Sequence, residues 1–312
     1  MHSISLFRFT LFVLLTINGF SYAQDSPFIV VLGTIQDAGS PHIGCSKECC
    51  KSLFEKPISI RKVVSLGLVD PYVKKAWLFE ATPDLPAQLK TLKKHSIFKN
   101  TETPDGIFLT HAHIGHYTGL MYLGKEALNS NNISVYAMPR MKSFLEGNGP
   151  WSQLVGQKNI LLEPMADQKE VVLSKNVAVT PFLVPHRDEF SETVGYKING
   201  PNKTLLFIPD IDKWEKWSVS IIDEIKQVDY AFVDATFFDG NEIQLRDISE
   251  IPHPFVIESL KLFKDLSKED KDKIYFIHFN HTNPLINRES DQAKEVLNAG
   301  FNIAVINQVI KL

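Results

Sequence analysis

Short apolar runs recurring along the whole chain constrain its fold more than any other feature. "FIVVLGT", "VVSLGLV", "AWLFEAT", "GIFLTH", "ISVYAM", "VAVTPFLVPH", "TVGYKI", "TLLFIPD", "YAFVDATFF", "IYFIHF" and "NIAVI" are brief, rich in β-branched and aromatic residues, and bounded by turn formers, which predicts strands. Helical patterns fall between them: "LPAQLKTLKKH", "GLMYLGKEAL", "PRMKSFLEG", "WSVSIIDEIKQ", "PFVIESLKLFKDL" and "SDQAKEVLNAG", the last closed by Gly300 as a C-cap. Some strands run on and others are separated by helices. The pattern therefore predicts an α/β fold of two packed sheets with helices outside. With no fixed-period repeat, Pro/Ser linker or charge block, a single domain over 24–312 is the simplest partition.

The opening "MHSISLFRFTLFVLLTINGFSYAQ" holds one cation, Arg8, an apolar run from Phe9 to Leu15, and the small-x-small ending Ser21-Tyr22-Ala23. That layout predicts a signal peptide over 1–23, so the mature protein is expected to be exported, periplasmic or secreted. The apolar run is shorter than the ~20 residues of a spanning helix, and nothing downstream is longer, so no membrane association is expected after cleavage. At 44% hydrophobic and 22% charged residues the chain is globular. Its net charge of −3, without a Lys/Arg run, lacks the basic footprint of a nucleic-acid binder, so the expected partner is a small-molecule substrate.

Polar residues follow the apolar runs at the points where chemistry is usually placed. "FLT" delivers His111, His113 and His116; "VAVTPFLVP" delivers His186; "TLLFIP" delivers Asp210; "IYFI" delivers His278, with His281 three residues on. Three imidazoles within six positions have metal-ligand spacing. Neutral imidazole suits zinc, iron and related ions, and a carboxylate can bridge two of them. An open coordination position would hold water whose pKa falls toward ~7, giving hydroxide at neutral pH. Taken alone, Asp210 also reads as an Asx-turn or helix N-cap before "KWEKW".

The cysteines Cys45, Cys49 and Cys50 all lie in "PHIGCSKECC". Under oxidising conditions they predict one disulfide with an odd thiol; equally, with His42 as fourth ligand, they match a closed structural zinc site in number and type.

The elements "VVLGT", "LTHAHIGHYTGL", "VPHRDEFSETVGYKI", "LLFIPDID", "VDATFF" and "IHFNHTNPL" make residues 28–312 resemble the metallo-β-lactamase superfamily. The first element, the cysteines and "HFNHTNP" are most similar to coenzyme PQQ synthesis protein B-like metallo-hydrolases, a branch close to the tRNase Z and cyclic-phosphodiesterase members. The resemblance implies an αββα sandwich of two mixed sheets flanked by helices, with one or two zinc ions (iron or manganese as alternatives) at the sheet edges. It implies His111, His113 and His186 around the first ion, Asp210 as bridge with Asp212 a weaker candidate, and His116 with His278 around the second. It also implies a proton-handling or supporting role for Asp234 and places His253 near the leaving group.

Two departures stand out. Gly115 occupies the place of the aspartate in His-x-His-x-Asp-His, which leaves the second site weak, empty or completed by another residue, for which His281 is the candidate. A glycine there also fits a need for positive φ or close backbone approach. The Cys-x-x-x-Cys-Cys spacing differs from the Cys-x-Cys-x-x-Cys common in PQQ-type relatives. The expected activity is a metal-dependent hydrolase using metal-bound hydroxide on an ester or phosphodiester-type bond. The alternatives are an iron-dependent oxidative enzyme of the PQQ branch and a non-catalytic metal-binding relative.

Overall fold

The computed structural model describes residues 26–56, 61–187, 189–242 and 251–312. The expected signal peptide, 1–23, lies outside the described residues. Strands β1 (Phe28–Gly33), β2 (Ser65–Asp70), β3 (Lys75–Phe79), β4 (Gly106–Phe108), β5 (Ile133–Ala137) and β6 (Ile160–Pro164) build one sheet in sequence order. The second holds β7 (Val171–Val172), β8 (Ala178–Leu183), β9 (Val194–Asn199), β10 (Thr204–Ile208), β11 (Tyr230–Asp234), β12 (Ile274–Ile277) and β13 (Asn302–Ile303). The last strand, β14 (Val309–Lys311), returns to pair with β1 on the edge of the first sheet.

Side-chain alternation along the strands sorts the core into three layers, as the pleat requires. In β1, Ile29 and Val31 face the other sheet, whereas Val30 and Leu32 face helices. In β10 and β11, Leu205, Phe207 and Phe232 face inward and Leu206, Ile208, Ala231 and Val233 outward. Between the sheets lies an aromatic block in which Phe79 stacks on Phe108 at 5.0 Å and meets Tyr196 edge-on at 5.3 Å. Truncating one of these buried rings to Ala would cost ~3–5 kcal/mol. Helices 85–95, 139–147 and 151–156 cover the first sheet through Leu85, Leu89, Leu92, Met141, Leu145 and Leu154. Helices 221–226, 256–262 and 291–298 cover the second. This is the αββα sandwich the sequence predicted.

Local rules account for several helix ends. Helix 85–95 starts with Pro86 in its first turn and ends on Lys93, Lys94 and His95, where cations meet the negative end of the dipole. Ser290 caps helix 291–298 by accepting from the Ala293 N–H, and Gly300 follows it at φ +93°. "GLMYLGKEAL" departs from expectation: only Thr118–Leu123 winds, as a 3₁₀ turn closed at Gly124. Its apolar spacing reflects Leu120 and Leu123 entering the core beneath the helices. Helix Glu48–Glu55, which carries Cys49 and Cys50, had no apolar period long enough to announce it.

Strand direction decides where the polar residues gather. In the first sheet β1, β3 and β4 run the same way, and in the second so do β8, β10, β11 and β12. Their ends therefore deliver residues to one edge of the sandwich. Past β1 the chain crosses between the sheets: Ile35 bridges both Val63 and Phe279, the Gln36 N–H donates to Phe279 O at 2.8 Å, and the Phe279 N–H donates to Thr34 O at 2.8 Å. Gly33 permits the crossing, since a Cβ there would lie 1.9 Å from Val63 O.

Candidate metal centre

β4 leads into the histidine turn, and the Tyr196 hydroxyl donates to Leu109 O from the opposite sheet, pinning the strand's exit. His111 and His113 follow, then the single helical turn Ile114–Tyr117, in which the His116 N–H donates to His113 O at 2.9 Å. His186 arrives after β8, Asp210 after β10 and His278 after β12, the last at φ +68°.

These residues form overlapping sets whose ligand-capable atoms lie within 4.8 Å of one another: His111, His113, His186 and Asp210; Asp37, His116, Asp210 and His278; and Asp210, Asp234, His253 and His278. Asp210 belongs to all three, as expected of a bridge. Its Oδ2 lies 3.3 Å from His111 Nε2 and 3.7 Å from His116 Nε2, and its Oδ1 lies 3.2 Å from His186 Nε2. Asp210 caps no helix: Lys213 holds the N-cap position of the following 3₁₀ turn, without a side-chain bond.

The fit to a cation rests on atoms left without hydrogen bonds. His111 Nε2, His113 Nδ1, His186 Nε2 and Asp210 Oδ1 are all buried, and none is aligned for a hydrogen bond despite the short separations. Each such group left unpaired costs ~1–3 kcal/mol. One ion would satisfy all four, and three imidazoles with a carboxylate match zinc and its neighbours. The donor set fits the metal.

The opposite nitrogen of most of these rings is held by an outer partner. Thr110 Oγ1 lies 2.9 Å from His111 Nδ1, Asp212 Oδ1 lies 3.2 Å from His186 Nδ1, and Thr236 Oγ1 lies 2.9 Å from His278 Nδ1. Glu80, fully buried at the end of β3, faces His116 Nδ1 at 3.5 Å as a charge, without hydrogen-bond alignment. Such partners fix tautomer and ring direction. Asp212 is thereby corrected from candidate bridge to outer partner of His186. Asp234 is also mainly an organiser, accepting from Ile211 N–H, Thr236 N–H and the Thr236 hydroxyl at 3.1, 2.8 and 2.7 Å. It holds His253 Nδ1 at 2.8 Å, and the same nitrogen lies 3.1 Å from Asp210.

Electrostatics divide the rings. Burial pushes His113 down to about 4, and burial with neighbouring His116 lowers His111 well below the usual range. Burial works against a charge on His186 too, yet Asp210 and Asp212 outweigh it and raise that ring to about 9. Burial is likewise overcome at His116 by Asp37 and Glu80, and at His253 by Asp234 and Asp210, both rising well above normal. Burial would raise Asp210, but His186, His253 and His278 hold it well below the carboxylate range. Without a cation, protons on some imidazoles balance the buried carboxylates.

His281 does not join the second set. It lies with Cys45, Cys49 and Cys50, its ring 4.2 Å from that of His42, and its Nδ1 is 3.1 Å from Asn280 Oδ1. The loop after β12 carries it on toward the cysteines, whereas the strand end itself aims His278 inward. His281 also takes the place expected of His42, whose Nδ1 meets its own neighbour Ile43 O at 2.7 Å. No disulfide forms: all three cysteines are free. The Cys49 Sγ lies 3.9 Å from Cys45 Sγ and 4.0 Å from Cys50 Sγ, close to the ~3.8 Å edge of a tetrahedron with ~2.3 Å zinc–sulfur bonds. Three thiols and one imidazole could hold a structural ion. Burial and the neighbouring thiols push Cys49 up to about 12, so only a cation would make it a thiolate.

Two carboxylates of the centre escaped sequence reasoning, Asp37 and Glu80. Each follows an apolar strand, β1 or β3, so the strand-end rule that singled out Asp210 would have reached both.

A two-sheet sandwich with an imidazole–carboxylate centre along one edge defines a class of metal-dependent enzymes. A family model described as a beta-lactamase superfamily domain matches residues 76–279, and the chain belongs to the metallo-β-lactamase superfamily. It is similar to coenzyme PQQ synthesis protein B of Klebsiella pneumoniae (strain 342), at 22% identity over 91% of this chain and 98% of that protein. Among solved structures it is similar to Zn(2+)-bound PqqB from Methylobacterium extorquens, with TM-score 0.71 and 20% identity over 91% of this chain and 100% of that one. It is also similar to a diphosphatase of the PhnP family, with TM-score 0.62 and 19% identity over 92% and 97% of the two chains. Family and centre together give the chain a metal-dependent catalytic role.

Proposed function

We propose that this chain hydrolyses an ester or phosphodiester-type bond in a small molecule, with zinc as the resident metal. The observation that carries the reading is the convergence of buried, unpartnered His111 Nε2, His113 Nδ1 and His186 Nε2 on Asp210. When bound, a divalent ion there lowers the pKa of water from 15.7 toward ~7 and polarises the bond under attack. The chain's own residues do the rest. Asp212, Thr110 and Thr236 hold three imidazoles in one tautomer, and the Glu80 charge faces the fourth. Asp234 fixes His253 through Nδ1, which leaves Nε2 as the nitrogen free to pass a proton to the leaving group. The relatives named for zinc binding and for diphosphatase activity support the metal and the bond class. The N-terminal signal pattern supports export as the setting of this activity.

A second reading, carried over from the resemblance to the PQQ branch, is an iron-dependent oxidation. A panel of nitrophenyl esters and phosphodiesters, run on protein loaded with zinc, manganese or iron, separates the two. Turnover that a chelator abolishes is the expected result. Inertness of the zinc and manganese forms, with oxygen uptake by the iron form, would instead favour the oxidative reading.

A further inference from the structure

Gly115 leaves the second set without the carboxylate its motif normally carries, and the structure shows another carboxylate in that space. Asp37, from the crossing after β1, places Oδ1 2.9 Å from His116 Nε2 and 3.4 Å from His278 Nε2. Both imidazoles turn their outer nitrogens away from it, toward Glu80 and Thr236. Asp210 Oδ2 closes the set, 3.7 Å from His116 Nε2. We infer that Asp37 replaces the missing aspartate as a ligand of the second ion, and that Gly115 is the space which admits it.

The two positions exclude each other. A Cβ at residue 115 would lie 2.4 Å from Asp37 Cα and 2.8 Å from both its Cβ and its Cγ, a collision with backbone as well as side chain. Gly115 sits in a helical turn and is not among the residues with positive φ, so close approach is what requires glycine there. An aspartate at 115 and the observed course of residue 37 cannot coexist. The carboxylate charge is thus kept, carried by the turn that follows β1. The pairing of Thr34 and Gln36 with Phe279 ties that segment to the one holding His278, so the two ligands are positioned by one set of backbone bonds.

This inference rests on the metal reading of the centre and not on the identity of the substrate. Full-length protein stripped with a chelator is titrated with Mn²⁺, a hard ion that prefers nitrogen and oxygen ligands to the cysteine thiols. Bound ions are counted by elemental analysis, and electron paramagnetic resonance reads coupling between them. Wild type should bind two coupled ions. Asp37→Ala should bind one, uncoupled, and Asp37→Asn should weaken the second ion beyond the ~10–100-fold loss typical of an outer partner. Gly115→Ala removes no ligand atom yet should also lose the coupling, because it displaces Asp37. Should Asp37→Ala fail to fold, as judged by circular dichroism of the metal-free protein, Asp37→Asn decides. Two coupled ions in the Asp37 variants, or a single wild-type ion whose affinity Asp37→Asn leaves unchanged, would overturn the assignment. A two-ion protein that loses one with Asp37 but turns over no ester or phosphodiester leaves this inference standing and removes only the hydrolase reading.

Discussion

The histidine centre and the cysteine cluster both gather side chains that could hold a metal, seven in the two sets joined by Asp210 and four in the cluster, yet they are built differently. In the centre, His111, His116, His186 and His278 are buried; a hydrogen-bond partner holds the far nitrogen of His111, His186 and His278, and the Glu80 carboxylate faces that of His116. In the cluster, Cys45, Cys49 and His281 are half-buried, the thiols contact chiefly one another, and only Cys50 is fully enclosed. A reaction needs groups fixed before substrate arrives, whereas a structural ion can pull flexible ligands into place as it binds. The contrast fits chemistry in the first region, and in the second an ion that would cross-link the loop after β1.

The largest test of that contrast is Asp210→Ala. Because Asp210 lies in every set of the centre, its loss should lower occupancy of both ions and take turnover to the assay background. Zinc held by the cysteine cluster should be unaffected. Elemental analysis with and without Mn²⁺ competition reads both regions at once, and retained two-ion binding would remove Asp210 as the bridge. Glu80→Gln comes next. It keeps the buried volume but removes the charge facing His116 Nδ1, and should cost the second ion ~10–100-fold in affinity while sparing the first. An equal effect on both ions would show that Glu80 supports the whole fold edge and not one ring.

The sandwich was legible in the sequence because strands buried on both faces, as β1 and β10 are, read as short continuous apolar runs whose successive residues enter different core layers. His111, His113, His186 and Asp210 were legible because they follow strong strands and match a known spacing. Asp37 was not. Its position depends on the strand crossing at Ile35 and on the space at Gly115, a contact between residues 78 positions apart that no local pattern encodes. It also precedes residue 76, where the family match begins. His281 misled for a similar reason: three residues after His278 suggests a shared face, but the turn beginning at Asn280 sends the two rings to different sites.

Proton linkage sharpens the comparison next. In the ion-free centre His186 is raised to about 9: burial opposes its charge, but Asp210 and Asp212 prevail. A raised imidazole contributes stability that is fully present below its unfolded pKa of ~6.5 and is lost as pH rises through about 9. An incoming ion must displace that proton, so affinity should climb by about tenfold per pH unit from 7 toward 9 and then level off. Burial holds His113 near 4, so it has no proton to give in that window. Calorimetry at pH 7 in buffers of different ionisation enthalpy should register release of at least one proton per chain. A flat affinity between pH 7 and 9 would contradict the charge balance described.

The smallest expected effect at the centre comes from the other region. Arg61 Nη1 donates to Ser40 Oγ at 3.0 Å and to Cys49 O at 3.2 Å, so the cysteine helix and the loop leaving Asp37 share an anchor. His281 adds a second connection, since it follows Phe279, the residue paired with Thr34 and Gln36. Cys49→Ser should therefore abolish binding of a thiophilic ion such as Cd²⁺ outright. At the centre it should act only through the loop, weakening the second Mn²⁺ a few-fold and leaving the first unchanged. A loss as large as that of Asp37→Ala would make the cluster part of the centre. No change at all would make the regions independent, with Asp37 held entirely by its pairing to the strand of His278.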